Sequence, residues 1–433
     1  MTAIAAVGLY ADLDRLASEV SEQVVAWRHD LHAHPELSNR ETRTAALAAA
    51  HLRSLGLDEV REGIAGHGVV GVLRGGQRGR RVVALRADTD ALPVRDESGV
   101  PFASTVVDAE YPGGPFPVSH ACGHDCHTAM LMGAATVLAG VREHLPGTVL
   151  FVFQPAEEGP PVTEDGGAAA MLAAGALADP EPTMVFGMHV GPLPKGHVGY
   201  RTGNQFAAST LVKVVVHGQQ VHGSTPWLGA DPMPAAAAII TGSAQLYRQL
   251  PAYNPMTISF GHVEDVGRFN IIGESVMLWG TIRCSAETDM AEVKDRLRHL
   301  AQHQAQTFGC TASVAFLQDV PAVRNTPEWV SAGLPTLRRV AGGARVAETP
   351  PTLGGDDISV FVSRYGGLYV LLGVQDTAFE GDRLVPVPGG RGVVANHNPG
   401  FYADDDSLVV GVRLHAHVAM DHLTGVLDIA RRP

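Results

Sequence analysis

The feature that most restricts the fold is a run of five apolar residues, Val149–Phe153, followed at once by Gln154-Pro155-Ala156-Glu157-Glu158-Gly159. A strand with one face in water alternates apolar and polar side chains, so an unbroken run marks a strand covered on both faces. Further β-rich runs lie at 68–73, 82–86, 184–186 and 368–372. Between and around them the spacing is helical: Val24, Trp27 and Leu31; Leu47, Leu52 and Leu55, ending at Gly56; an Ala-rich stretch from His124 to Ala139; then 327–340 and 406–423. Ser38-Asn39-Arg40-Glu41 reads as a capping box at the start of the second helix. The Gly/Pro-rich stretch 98–118 reads as loop. Strands alternating with helices predict an α/β layer with a mainly parallel sheet and helices on both faces.

The middle of the chain has another rhythm. Strand-like 211–216, a helix near 234–250, strands near 256–260 and 276–282, a helix over 290–308 and a strand at 314–316 follow in the βαββαβ order of the split, ferredoxin-like arrangement. The expected organisation is a larger domain of residues 1–197 and 313–433, with a smaller α+β domain, 198–312, inserted into it.

Composition narrows the function. At 433 residues, with 45% hydrophobic and 18% charged residues, the chain is globular in balance. Its net charge of −13 argues against nucleic acid, which needs basic surface to displace counterions, and against anionic lipid. No apolar run approaches the ~18–20 residues that span a bilayer. The start MTAIAAVGLYADLDRL lacks the basic segment of a secretory signal, and four cysteines make no disulfide scaffold. A cytoplasmic protein is expected.

The 20 histidines point to chemistry. His120-Ala121-Cys122-Gly123-His124-Asp125-Cys126-His127 packs three His, two Cys and one Asp into eight residues. Thiolate and imidazole two residues apart in a loop can face one cavity, and both are good Zn²⁺ ligands. Glu157-Glu158 follows the buried strand, where open α/β sheets gather catalytic groups. One carboxylate can bind metal while its neighbour acts as general base. His189 in Gly187-Met188-His189-Val190 and His397 in Asn396-His397-Asn398-Pro399-Gly400-Phe401 stand near the ends of other elements. Cys122, His124, Glu158, His189 and His397 together exceed the four ligands of a closed structural Zn site, so two metals are the economical reading. The aspartates of Arg86-Ala87-Asp88-Thr89-Asp90, Asp88 above all, can orient ligating imidazoles from behind, as can Asp125.

The segments WRHDLHAHPEL, ALRADTDALPV, HACGHDCHTAML, FVFQPAEEG, GMHV and HNPGF, in that order, resemble the aminoacylase/hippuricase-type metallo-amidohydrolases, a zinc metallopeptidase family with bacterial N-acyl-amino-acid amidohydrolases and plant auxin-conjugate hydrolases among its members. The resemblance spans nearly the whole chain. It implies two divalent ions (Zn, Mn, Co or Ni), with Cys122 the bridging thiolate, His124, Glu158, His189 and His397 the other ligands, and Glu157 the general base. It also implies a catalytic α/β domain carrying an inserted lid or dimerisation domain, and hence a homodimer or dimer-based oligomer. In Val221-His222-Gly223-Ser224 the resemblance makes His222 the donor to the tetrahedral oxyanion, and it gives Asn270 and Arg283 the substrate's free carboxylate, a task to which a bidentate guanidinium is suited. Three departures stand out: Cys126 replaces the usual Gly, Gly354-Gly355-Asp356-Asp357-Ile358-Ser359 replaces Gly-Ser-Glu-Asp-Phe-Ser, and the segment 376–394 is longer than typical.

The expected reaction is hydrolysis of a small N-acyl-amino acid to a carboxylic acid and a free amino acid. Three alternatives compete with it. One is a dipeptidase- or carboxypeptidase-like hydrolase of the same type. Another is a non-catalytic descendant that binds acyl-amino acids or metal, against which the retention of both Glu157 and Glu158 speaks. The last is an amidase using Cys122 as nucleophile with His124 or His127, a spacing too short for a good dyad and one that leaves the carboxylate pair without a task.

Overall fold

The structure is a computed structural model that describes residues 3–381 and 383–429. Its chain divides into two compact units, the first comprising Met1–Gly203, Arg324–Pro350 and Val360–Pro433, the second Asn204–Val323 with Pro351–Ser359. Relative to the expected bounds of 198–312, the second unit keeps the whole of the strand Thr311–Val320, because that strand pairs along most of its length with Ala208–His217. It also takes in residues 351–359, through the bonds Ala207 N–H to Gly354 O and Thr352 N–H to Gln205 O.

The first unit is built on an eight-stranded sheet. Four neighbouring strands, Pro146–Gln154, Gln77–Asp88, Met184–Pro194 and Gly367–Gln375, run parallel. Antiparallel Gly68–Arg74 and Glu59–Ile64 extend one edge. The α/β class with a mainly parallel sheet is therefore as expected. Val149–Phe153 is buried throughout, with Phe151 in register with Leu85, which in turn faces Phe186. Register also brings the strand ends level: Asp88 stands opposite Gln154, so the loops that follow both strands begin side by side. The third strand is longer than its apolar run 184–186. Beyond Gly187 it continues against Gly367–Gln375, so His189 lies within a strand, paired with Leu371, and not in a loop beyond one.

Helices Ser21–Ala33, His124–Gly140 and Leu408–Thr424 pack together, the last two also against the central strands. The opening segment holds one more helix than the spacing predicts, Ala3–Glu19, packed on Leu408–Thr424. Helix Thr42–Ser54 starts where the capping box predicts, but neither Ser38 nor Glu41 caps it. The carboxylate of Glu36 does, accepting the amides of Arg43 (2.9 Å) and Thr44 (2.8 Å).

The second unit is an antiparallel four-stranded sheet in the spatial order Met256–Asp265, Ser275–Cys284, Ala208–His217, Thr311–Val320. Helices Pro232–Ser243 and Glu287–Thr307 pack on it, giving the βαββαβ chain order expected. Met290, Val293, Leu297, Ala301 and Ala305 form the buried stripe of the longer helix. Among the described residues, no helix is long and apolar enough to cross a membrane.

Candidate metal centre

Cys122 ends the loop before helix His124–Gly140, and the turn between them depends on Gly123. Its φ of +93° favours glycine, and a Cβ there would stand 2.3 Å from Val190 Cγ2. The tight turn sets Cys122 Sγ 3.2 Å from His189 Nε2. His189 points that nitrogen inward because its Nδ1–H donates to Val190 O at 2.7 Å. His124 is oriented in the same way, with Nδ1 3.3 Å from Asp90 Oδ1 and Nε2 buried without a hydrogen-bond partner. Around that nitrogen lie Glu157 Oε2 and Glu158 Oε1, both at 3.8 Å. His397 Nε2 completes the ring of donors, 3.2 Å from Glu158 Oε1. Its loop is docked by His397 N–H on Ala121 O and by Asn396 Nδ2, which donates to Cys122 O and Val190 O.

Two triads share Cys122: with His124 and His189, and with Glu158 and His397. The ligand atoms within each lie within 4.8 Å of one another. The residues fit divalent cations. One imidazole nitrogen is buried with no hydrogen-bond partner, and soft sulfur, imidazole and carboxylate donors meet in the proportions such ions take. Carboxylates dominate the electrostatics of the cluster. Burial, then Glu158 and Glu157, push the Cys122 thiol well above its ordinary value. Burial alone would lower the His124 imidazole, yet Asp88, Asp90 and Glu158 carry it up to about 10. Burial and the neighbouring His127 press His189 down to about 3, leaving it a neutral donor. His397 and His124 hold Glu158 at about 2 against the effect of burial.

The residues behind these donors differ from expectation. Asp90, not Asp88, takes the Nδ1 of His124. Asp88 instead binds His127 and, at 2.7 Å, Arg86. His127 has both ring nitrogens engaged, the second accepting Val190 N–H at 2.8 Å, and so offers no lone pair. Asp125 faces away from the donor cluster, bonded to Arg28 (3.0 Å) and His32 (2.8 Å). Cys126 lies with Asp125 and Arg28, and belongs to none of the donor groups found among the described residues. Sequence reasoning missed Asn396, which sits beside a candidate ligand in its motif but whose hydrogen bonds depend on segments far apart in the chain.

His222, Asn270 and Arg283 belong to the second unit. His222 pairs with Ile271 across two short strands, and Gly223 N–H donates to Asn270 O, so His222 and Asn270 are neighbours. The Nδ1 of His222 accepts Ser224 N–H at 3.1 Å. Arg283, on strand Ser275–Cys284, donates to Leu353 O at 3.4 Å.

The chain is similar to known proteins over most of its length. The profile described as "Peptidase family M20/M25/M40" matches residues 84–421. Thermostable carboxypeptidase 2 of Saccharolobus solfataricus is 34% identical over 93% of this chain and 96% of its own. IAA-amino acid hydrolase ILR1-like 2 of Arabidopsis thaliana is 31% identical over 94% of this chain and 86% of its own. Among solved structures, the Bacillus subtilis YXEP protein, described as a dinuclear metal binding peptidase, superposes with a TM-score of 0.72 at 29% identity, covering 94% of this chain and 99% of that one.

Proposed function

The chain belongs to peptidase family M20/M25/M40 and is a metallo-hydrolase of amide bonds, and from that premise we propose that it cleaves N-acyl-amino acids, releasing a carboxylic acid and a free amino acid. The observation that carries this reading is the overlap of three donor groups, Cys122 with His124 and His189, Cys122 with Glu158 and His397, and His124 with Glu157 and Glu158. Cys122, His124, Glu158, His189 and His397 would hold two divalent ions. When bound, such ions supply Lewis acidity that polarises the amide carbonyl and makes water acidic near neutral pH.

Glu157, adjacent to the ligand Glu158, is assigned the general base. It takes a proton from the attacking water and returns it to the amide nitrogen as the C–N bond breaks, so that the amine leaves neutral. Asp90 fixes the tautomer of His124, and Val190 O fixes that of His189. His222 is assigned the oxyanion donor, while Asn270 and Arg283 receive the free carboxylate of the amino acid. The second unit thereby becomes the lid or dimerisation domain.

A carboxypeptidase also releases an amino acid whose carboxylate is free, so the relative of that name shares the amine side of the substrate and differs on the acyl side. A panel of N-acetyl, N-benzoyl and indole-acetyl amino acids, set beside dipeptides and read by ninhydrin, separates the two. Preference for acyl groups over aminoacyl groups is expected; turnover of dipeptides alone would overturn it. Glu157→Gln keeps the carbonyl acceptor but loses the base. It is expected to retain bound metal and lose turnover by about 10²–10⁴-fold. Activity near that of the parent would sink the assignment.

A further inference from the structure

With Glu36 capping helix Thr42–Ser54, the segment Ser38-Asn39-Arg40-Glu41 is free for another task, and all four side chains turn toward the loops of the donor cluster. Ser38 Oγ donates to Asp90 Oδ2 at 2.6 Å. Asn39 Nδ2 donates to Glu164 Oε2 and to Asp165 O, both at 3.0 Å. The guanidinium of Arg40 grips both oxygens of Glu164 at 2.9 and 3.1 Å. Glu41 Oε1 accepts Ala156 N–H at 2.8 Å, and Asp90 Oδ2 accepts Glu158 N–H at 3.0 Å. The amides on either side of Glu157 are thus each held by a buried carboxyl group from another part of the chain. Ala156 itself has a φ of +54°, a backbone state that a residue with a Cβ keeps only when its surroundings impose it.

We propose that Glu41 is a positioning residue for Glu157: together with Asp90 it clamps the 156–158 turn and so fixes where the Glu157 carboxylate points. The inference rests on the assignment of Glu157 as general base. Glu41 is fully buried, and burial with the nearby Asp90 charge pushes its carboxyl up to about 8. Toward Ala156 N–H it serves as an acceptor, a part that a glutamine amide can take through its carbonyl oxygen.

The test compares Glu41→Gln with Glu41→Ala in the full chain. Amide hydrogen exchange of the peptide containing Ala156 and Glu158 is followed by mass spectrometry, beside kcat, KM, bound metal per chain and melting temperature. In E41A the peptide is expected to exchange faster by about tenfold or more. Its kcat is expected to fall by about 10²-fold through misplacement of the base, with KM and bound metal held. E41Q is expected to keep both the protection and most of kcat. Should E41A fail to fold, Glu41→Asp, shorter by one methylene, carries the same expectation. Unchanged exchange in E41A, or an E41Q as slow as E41A with the peptide still protected, overturns the proposal. Exchange is read without substrate. A protein that hydrolyses nothing in the acyl panel therefore fails the functional reading and still answers whether Glu41 clamps the turn.

Discussion

His32 carries a proton into the folded state. Its Nδ1 lies 2.8 Å from Asp125 Oδ2 and its Nε2 3.0 Å from Asp96 Oδ2, in a nearly dry site. Burial alone would lower its pKa, yet Asp125 and Asp96 raise it to about 9, against ~6.5 for a free imidazole. A group whose folded pKa exceeds its unfolded one contributes stability fully below the unfolded value. That contribution is lost as the pH climbs through the folded value. The His32 contribution is thus complete below about pH 6.5 and fades toward pH 9. His32→Gln is expected to cost about 3 kcal/mol at pH 6, where it leaves two buried carboxylates short of a cation, and clearly less at pH 9.5. Urea midpoints of parent and variant at the two pH values measure this; an equal cost at both would mean that His32 is neutral in the fold. The same pair of contacts shows why Asp125 is not an orienting residue for the ligands despite its place beside His124. The start of a helix directs successive side chains about 100° apart, so adjacent residues face different partners.

Elements were legible where burial is two-sided and opaque where it is shared with chemistry. Val149–Phe153 reads directly because nothing polar interrupts it. Strand Met184–Pro194 reads only as far as Phe186, since Gly187, His189 and Gly191 break the apolar run at the point where the strand begins to carry function. Thr311–Val320 reads only at its centre because it is an edge strand with one face exposed. The cysteine, histidine and glutamate candidates stand out by residue type, and Glu157 and Glu158 also by their place directly after a strand. An aspartate of the 86–90 segment behind a histidine is readable, but not that Asp90 is the one behind His124, nor that Glu41 lies behind Ala156, because a side chain's direction is set by tertiary contacts that neighbouring letters do not record. The capping box fails for the same reason: a better-placed carboxylate, Glu36, wins the helix end. Helix packing yields its own prediction. At Gly133, on helix His124–Gly140, an added Cβ would stand 2.5 Å from Val24 Cγ2 and 2.9 Å from Val412 Cγ2, so the crossing of three helices requires the bare backbone. Gly133→Ala is expected to destabilise by about 1–3 kcal/mol despite alanine's better helix propensity. A urea midpoint equal to or above that of the parent would show that the helices can separate without loss.

For the whole molecule, the −13 net charge and the site pull in opposite directions. An acidic body repels an anion such as the proposed acyl-amino acid, and the donor cluster adds the carboxylates of Glu157 and Glu158 beside a thiol that burial pushes toward its protonated form. A divalent cation resolves both problems: it gives the thiol reason to ionise and supplies the local positive field that the surface lacks. With Cys122 as the proposed ligand, binding is expected to release its proton, and because an ion held by the fold is absent from the unfolded chain, it is expected also to stabilise the protein by mass action, about 2.7 kcal/mol at a hundredfold excess over Kd. Three readouts follow from the one cause. Chelation is expected to abolish hydrolysis and lower the melting temperature. Restoring Zn²⁺, Mn²⁺ or Co²⁺ is expected to recover both while acidifying a weakly buffered solution. Cys122→Ser is expected to weaken the proton release along with the metal affinity, since a hydroxyl does not ionise as a thiol does. Activity and melting temperature indifferent to chelator, with no proton released on adding metal, would remove the cations from the reading and return Cys122 to the role of nucleophile.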